Sequence, residues 1–439
     1  MELRKKENQL SPYTQTTLNT SCSSRRTELS SLLPQHICNN VSSSSSSLFH
    51  SFEESNNSNI NNNYHADVLE MTIDRTSDLI ATAGDIHSNH LYKTCLILSS
   101  NIESEEPDWN SEAVQELFQA IASMNQLEYI SLNKFGMVCN SFPIHLITQV
   151  LSSHQLRSIH INCMSLLGTA TEIQELAFSL EQQLQLETFM ISYCGFSTAI
   201  EASCTLDLIV LSLSKLPNLR LLELWGYAEG KLGALQEHTL EQLLRSASLQ
   251  SLHLEGFTLH YNHLKAIALS LQENRTLQKL DLHVLKQAPE GSVELVESLR
   301  HNDRLQYLEV FLSSNIQNDL FLTTMADMLK SNRSLKVFKV HTFRRVTPLE
   351  EETFADMLET NETLQVLDLA GYEGDQRPKI DYLLSWNRRG RQRPMLKPLK
   401  EHSTIRKKEP TRKSRNGKKK RSEVDILDNG EELLFGYKL

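Results

Sequence analysis

The chain has 439 residues, with 44 Lys and Arg against 54 Asp and Glu, a formal net charge of −10 at pH 7. It holds no run of eighteen apolar residues, and Met1-Glu2-Leu3-Arg4-Lys5-Lys6 is not followed by an apolar stretch; neither membrane insertion nor secretion is therefore expected. The seven cysteines are scattered, odd in number and without a C-x-x-C pair, which suits a reducing compartment and argues against disulfides and structural zinc.

Residues 1–66 are rich in Ser and Asn, including Ser42 to Ser47 and Asn56 to Asn63. So few apolar side chains cannot offset the entropy of ordering, and a disordered arm is expected. Residues 67–126 read as an N-terminal cap with a degenerate first repeat. Asp67-Val68-Leu69-Glu70-Met71-Thr72-Ile73 alternates polar and apolar as a strand does. Leu91-Tyr92-Lys93-Thr94-Cys95-Leu96 is taken as the worn first repeat, with Thr94 where Leu is expected, and Glu103 to Asp108 as a loop entering a helix at Ser111. Solenoid ends need such atypical units to cover their last apolar layer.

Residues 127–374 are organised by one pattern, Leu-x-x-Leu-x-Leu. It is clearest at Leu277-Gln278-Lys279-Leu280-Asp281-Leu282 and returns from Leu219, Leu249 and Leu364, with looser copies from Leu127, Leu156, Leu186, Leu305 and Leu335. Successive starts lie 29, 30, 33, 30, 28, 28, 30 and 29 residues apart, the signature of a repeat architecture. Ten and six residues before every leading Leu except Leu249 stand apolar residues, an i, i+4 pair on one helix face (Ile267-Leu271 and Phe354-Leu358, for example). Three before it, the later repeats carry Asn274, Asn302, Asn332 and Asn361, each expected to end its helix in a left-handed turn. Asn-x-Ser/Thr sequons at Asn274, Asn332 and Asn361 are by-products of that turn. Strands stack ~4.8 Å apart and helices need about 10 Å, so the stack must bend with its parallel sheet inside.

These features resemble the ribonuclease-inhibitor-like leucine-rich-repeat family over roughly residues 91–369. The resemblance implies an α/β horseshoe, with parallel strands on the concave face and helices on the convex face. At the ninth repeat position, where the family has Asn or Cys, only Cys194 conforms; Phe135, Tyr227, Phe257, Phe343 and Tyr372 stand elsewhere, which implies aromatic packing.

Residues 375–395 place Ile380, Leu383, Leu384 and Asn387 at i, i+3, i+4 and i+7, a short capping helix. Its Asn387-Arg388-Arg389-Gly390-Arg391 string is similar to the closing sequence of ribonuclease-inhibitor-like repeat proteins of diatoms, except that Trp386 replaces an aliphatic residue. Charge then changes abruptly. Arg388 to Arg421 carries 16 Lys and Arg against two acids, so an acidic body of net −24 is joined to a tail of net +14. Residues 396–421 are read as a disordered basic tail, and residues 422–439 as an acidic-hydrophobic terminal motif. Lys407-Lys408, ten residues, then Lys419-Lys420-Arg421 match the spacing of a bipartite nuclear import signal. The rival use of the same charge is attraction to phosphate. No aromatic residue interrupts the basic run, so base stacking on nucleic acid is not expected.

In each strand, repeat positions one, four and six point into the core and three, five and seven line the concave face. The middle column reads Ser131, His160, Met190, Glu223, His253, Asp281, Glu309, Lys339 and Asp368; the seventh-position column includes Trp225, Glu255, His283, Phe311 and His341. Glu223, His253, Asp281 and Glu309 therefore form a stripe, expected to be a solvated ladder in which His relieves carboxylate repulsion. Trp225, Tyr307 and Phe311 are exposed aromatics ringed by charge, as in protein-binding anchors; Trp225 packed locally into its own loop is the alternative. The candidate binding residues are Glu223, Trp225, His253, Asp281, His283, Tyr307, Glu309 and Phe311.

Phosphate-cradle, zinc-protease and nucleophile-elbow motifs are missing, so no enzyme activity, cofactor or metal is expected. The reading is a monomeric interaction module or scaffold binding a protein partner on its concave surface. An import receptor is expected on Lys407, Lys408, Lys419, Lys420 and Arg421, and localisation is nuclear or nucleocytoplasmic, with cytoplasmic as the alternative. Two further alternatives stand. GTPase-activating proteins of the nuclear-transport GTPase share this repeat type, although an acidic region follows their repeats; and the tail could bind nucleic acid, weakly.

Overall fold

The computed structural model describes residues 68–390 apart from residue 76 and the segments 90–92, 101–110, 135–141, 197–201, 227–234, 258, 285–288, 313–317, 343–344 and 370–373. The arm, the basic tail, the terminal motif, the 103–108 loop and Phe135, Tyr227, Phe343 and Tyr372 lie outside the described residues.

Strand and helix alternate. β1 (Val68–Ile73) precedes α1 (Asp78–Asn89), β2 (Cys95–Ser100) precedes α2 (Glu112–Ala122), and β3 (Tyr129–Asn133) with the short β4 (Phe142–Pro143) precedes α3 (Ile144–Ser153). There follow β5 (Ser158–Asn162), β6 (Ser165–Leu167) and α4 (Ala170–Glu181), then β7 (Thr188–Ser192), β8 (Gly195–Phe196) and α5 (Ala202–Ser214). β9 (Leu221–Trp225) leads to α6 (Glu237–Leu244), β10 (Ser251–Phe257) to α7 (Tyr261–Glu273), and β11 (Lys279–Val284) to α8 (Pro289–Leu299). β12 (Tyr307–Leu312), α9 (Asn318–Ser331), β13 (Val337–Thr342), α10 (Pro348–Thr360), β14 (Val366–Leu369) and α11 (Arg377–Arg389) complete the order.

β1, β2, β3, β5, β7 and β9 to β14 form one parallel sheet of eleven strands in chain order, while β4, β6 and β8 form a small second sheet. The chain is a leucine-rich-repeat solenoid, with the large sheet on the concave face and the helices on the convex one. Its core is the layer between them. Leu249, Leu252 and Leu254, then Leu277, Leu280 and Leu282, are wholly buried, as are the helix residues Ile267, Leu271, Phe354 and Leu358. Each apolar layer is covered by the next repeat. α11 closes the last one by burying Ile380, Leu383 and Leu384, and ends at Gly390 in the left-handed conformation.

Two expectations are corrected here. β2 pairs with β3 so that Leu96 opposes Ile130 and Leu98 opposes Leu132. The leading position of the first repeat is therefore Lys93, not Leu91, and Thr94 does not occupy a core position. A slip of two residues leaves both strand faces unchanged, so alternation alone could not expose it.

The second correction concerns the asparagines. Asn274 and Asn361 have extended backbones, φ −65° and −88°, and end no helix in a left-handed turn. Their amides act instead. Asn274 Oδ1 accepts the N–H groups of Thr276 and Leu277 while Nδ2 donates to the Leu244 carbonyl of the preceding repeat (2.5 Å). Asn302 reaches the Leu271 carbonyl in the same way, Asn332 reaches Leu299 and Asn302, Asn361 reaches Leu329 and Asn332, and Asn387 of α11 reaches Asn361 and Leu364. Earlier repeats improvise. Gln183 spans Leu151 and Leu156, and His154 Nε2 donates to the Ile121 carbonyl (3.0 Å). With their amides engaged and buried, Asn274, Asn332 and Asn361 present no glycosylation acceptor in the folded repeats.

At the ninth repeat position Cys194 is buried and its Sγ donates to the Ile161 and Ser192 carbonyls, while Phe257 is buried at its own. β10 bulges just before Phe257 at Gly256, whose φ is +78°. A Cβ there would stand 2.6 Å from the Gly226 carbonyl oxygen, so only glycine fits.

The amide spine makes a prediction. Asn332→Ala strands two buried N–H groups and two carbonyls and should cost about 3 kcal/mol in urea unfolding. Asn218→Ala, which loses a single exposed bond to the Leu184 carbonyl (2.8 Å), should cost less than about 1 kcal/mol. Equal costs would show that water makes good the lost bonds.

Candidate interaction surface on the concave face

The strand registers place every concave column where the repeat predicts. Ser131, His160, Met190, Glu223, His253, Asp281, Glu309, Lys339 and Asp368 are successive neighbours, extended backwards by Ile97 and Glu70. Trp225, Glu255, His283, Phe311 and His341 form the adjoining row. The side chain of His283, and Lys407, Lys408, Lys419, Lys420 and Arg421, lie outside the described residues.

Charge divides this face in two. From β2 to β7 the concave positions are Cys95, Ile97, Ser99, Tyr129, Ser131, Asn133, Ser158, His160, Asn162, Thr188, Met190 and Ser192, none formally charged. His160 stays neutral there because burial holds its pKa down to about 4, and its Nδ1 accepts from the Tyr129 hydroxyl (2.8 Å). All other concave charges of the described strands after β1 sit on β9 to β14.

The charged half is built as two knots. In the first, Trp225 stacks on the His253 imidazole (centroids 4.4 Å apart, planes 21°) and meets Tyr193 edge-on at 5.9 Å. His253 Nδ1 lies 2.9 Å from Asp281 and Nε2 lies 3.4 Å from Glu255. Burial alone would lower the His253 pKa, but the hydrogen bonds of Asp281 and Glu255 outweigh it and raise it above the ordinary value. Burial also raises the carboxyl of Glu223, with His253 and Lys279 offsetting only part. The expectation of a solvated ladder fails at its centre, since His253 and Asp281 are only 5 % and 6 % exposed. Side chains on neighbouring strands, Trp225 foremost, fold over them, and strand parity cannot foresee that.

In the second knot the Tyr307 hydroxyl donates to Glu309, His341 Nε2 lies 2.8 Å from the same carboxylate and Lys339 Nζ lies 3.4 Å from it. Burial works against the Glu309 charge, yet the bonds from His341 and Tyr307 hold its pKa down to about 2. Phe311 stacks on His341 at 4.0 Å. The ammonium groups of Lys279 and Lys339 stand 5.0 and 5.4 Å from the Tyr307 ring centroid, a cation–π contact on each side. Trp225, Tyr307 and Phe311 all keep part of their surface open. The Trp225 indole nitrogen is shut off from solvent without an acceptor at good geometry, although the Glu223 carboxyl is close.

Sequence reading passed over Lys279 and Tyr193. Lys279 was legible, since it shares a column with Tyr307 one strand away. Tyr193 was not: it lies beyond its strand, and a backbone φ of 53° turns it toward Trp225.

No group of three His, Cys, Asp or Glu among the described residues is arranged to hold a metal ion, and no described helix is long and apolar enough to cross a membrane. No family model matches the chain, and no curated protein matches it. Among solved structures it is similar to a tropomodulin C-terminal domain of Caenorhabditis elegans, at 14 % identity over 35 % of this chain and 95 % of that one, TM-score 0.30. It is also similar to the actin-binding site 2 of leiomodin-1, at 16 % identity over 37 % and 84 %, TM-score 0.24. A third is the yeast Rad7 and Elc1 complex, at 13 % identity over 78 % and 94 %, TM-score 0.28. At such scores they carry no argument about function, and the repeat fold rests on this chain's own registers.

The two histidines titrate in separate windows. His160, lowered when folded, binds its proton more readily when unfolded, so its contribution is lost as pH falls from about 6.5 to 4. At ~1.4 kcal/mol per unit that loss is at most about 3 kcal/mol. His253, raised when folded, contributes fully below its unfolded pKa and loses that contribution as pH rises through its folded one. Urea unfolding against pH should therefore flatten on the acid side in His160→Gln and on the alkaline side in His253→Gln. An unchanged acid limb in His160→Gln would show that His160 is not held neutral.

Proposed function

We propose that the chain is a non-catalytic interaction module whose concave surface binds a protein partner. The observation that carries this reading is the second knot. Phe311 and Tyr307 present partly open rings, and hydrogen bonds to Glu309 and His341 hold the groups beside them in one arrangement. Aromatic anchors already fixed in place lose little side-chain freedom on binding. The relationship proposed is to the ribonuclease-inhibitor-like repeats, and through the Asn387 to Arg391 string to their diatom members. The position of Asn387, bonded back to the last repeat, supports a structural use for that string.

Affinity capture with the full chain and with residues 68–390 should recover the same protein. Phe311→Ala and Trp225→Ala should each weaken that complex by ~2 kcal/mol, about thirtyfold in Kd. Trp225→Ala should also cost about 1 kcal/mol of stability, because it uncovers His253; Phe311→Ala is thus the cleaner test. Unchanged affinity in Phe311→Ala would remove the concave face from the interface.

The tail is proposed to be read by an import receptor, supported by the spacing of Lys407-Lys408 and Lys419-Lys420-Arg421, and the protein to be nuclear or nucleocytoplasmic. Replacing Lys419, Lys420 and Arg421 by Ala should exclude a fluorescent fusion from the nucleus. Replacing Arg388, Arg389 and Arg391 should not. Equal effects would favour general attraction to phosphate, which follows total charge.

A further inference from the structure

The partition of the concave face has a counterpart in the chain's own ends. Its charged half, β9 to β14, is the half next to the point where the chain leaves the solenoid at Gly390. Residues 391–421 hold fourteen Lys and Arg against Glu401 and Glu409. The concave positions of β9 to β14 hold Glu223, Glu255, Asp281, Glu309 and Asp368 against Lys279 and Lys339.

Several carboxylates on the convex side are answered by cations of the same or the adjacent repeat. Arg300 pairs with Glu297 and Asp327, Lys379 with Asp356 and Glu359, and Lys215 with Glu181. On the concave side no Lys or Arg among the described residues stands within ion-pair distance of Glu223 or Asp368, which mark the two ends of the charged half. Between them the chain's own Lys279 and Lys339 stand on either side of the Tyr307 ring, which leaves the two end carboxylates as the positions open to a further cation.

Reach is sufficient. Five strand intervals separate β9 from β14, about 24 Å at ~4.8 Å each. A flexible chain of 31 residues has an end-to-end distance of about 30 Å. Tethering at Gly390 then gives the tail a local concentration in the millimolar range, so weak contacts suffice.

We propose that the basic segment 391–421 docks on the charged half of the concave face of its own chain, with Asp368 and Glu223 as the end contacts. The segment covers the face and is itself covered. A protein partner of that face must then displace it, and an import receptor must wait until it is released. Docking itself does not depend on the face having any partner.

The test is limited trypsin digestion of the full chain, scored by cleavage between residues 391 and 421. At low salt the tail should be cut slowly, and 0.5 M salt should release it, since its contacts are electrostatic. Glu223→Gln/Asp368→Asn should speed tail cleavage at low salt by about fivefold, for two surface ion pairs lost. Glu273→Gln/Glu352→Gln removes two exposed charges from the convex helices α7 and α10, neither of them in an ion pair with a described residue, and should leave the rate unchanged. Cleavage inside residues 68–390 would report unfolding of a variant, and the salt response of the unmodified chain then decides alone. A tail cut at the same rate at low and high salt overturns the proposal. So does equal acceleration by the concave and convex variants. Fast tail cleavage that leaves partner affinity sensitive to Phe311→Ala would refute docking while leaving the binding role intact.

Discussion

The structure depends on a side-chain amide buried where each helix from α7 to α10 gives way to the next strand. A turn at that point leaves backbone N–H groups and carbonyls inside the protein, where each unmade bond is expensive. Asn302, Asn332 and Asn361 answer both kinds at once, accepting within their own repeat and donating to the one before. The bond backwards matters more than the turn it closes. It fixes the offset between consecutive repeats, and that offset is what lines the concave residues into columns.

The same constraint separates what was legible in the sequence from what was not. Period, inward positions and columns follow from Leu spacing and strand parity, so Glu223, His253, Asp281 and Glu309 could be placed side by side without coordinates. Parity is blind to a slip of two, which is why Leu91 stood in for Lys93. It is also blind to desolvation. Whether His253 is wet depends on how Trp225 lies, and a ring on the next strand is free to turn either way until its neighbours are known. The asparagines were singled out for the right position and the wrong reason. Their value lies in hydrogen bonds that span repeats, and propensity for a backbone conformation says nothing of those.

On the concave face, packing and electrostatics are one arrangement. Tyr307 and His341 hold Glu309 ionised; Glu309 in turn orients His341, and Phe311 lies flat on that ring. Loosening one member frees the others. On the uncharged strands β2 to β7 the cross-strand bonds are between neutral groups, as Tyr129 makes with His160 and Asn133 with Ser99. The two halves therefore offer a visitor different surfaces: one neutral and hydrogen-bonding, one charged.

The uneven spine also bears on synthesis. A ribosome delivers β1 to α5 first, the part in which His154 and Gln183 substitute for asparagine and the helix-to-strand joints are the least regular. The unbroken run from Asn274 to Asn387 emerges last. In a chain whose units are stable only against neighbours, ordered growth starts where the joints are strongest. The first-made repeats of this protein should therefore wait, partly ordered, for the last-made ones, so that folding runs against the direction of translation.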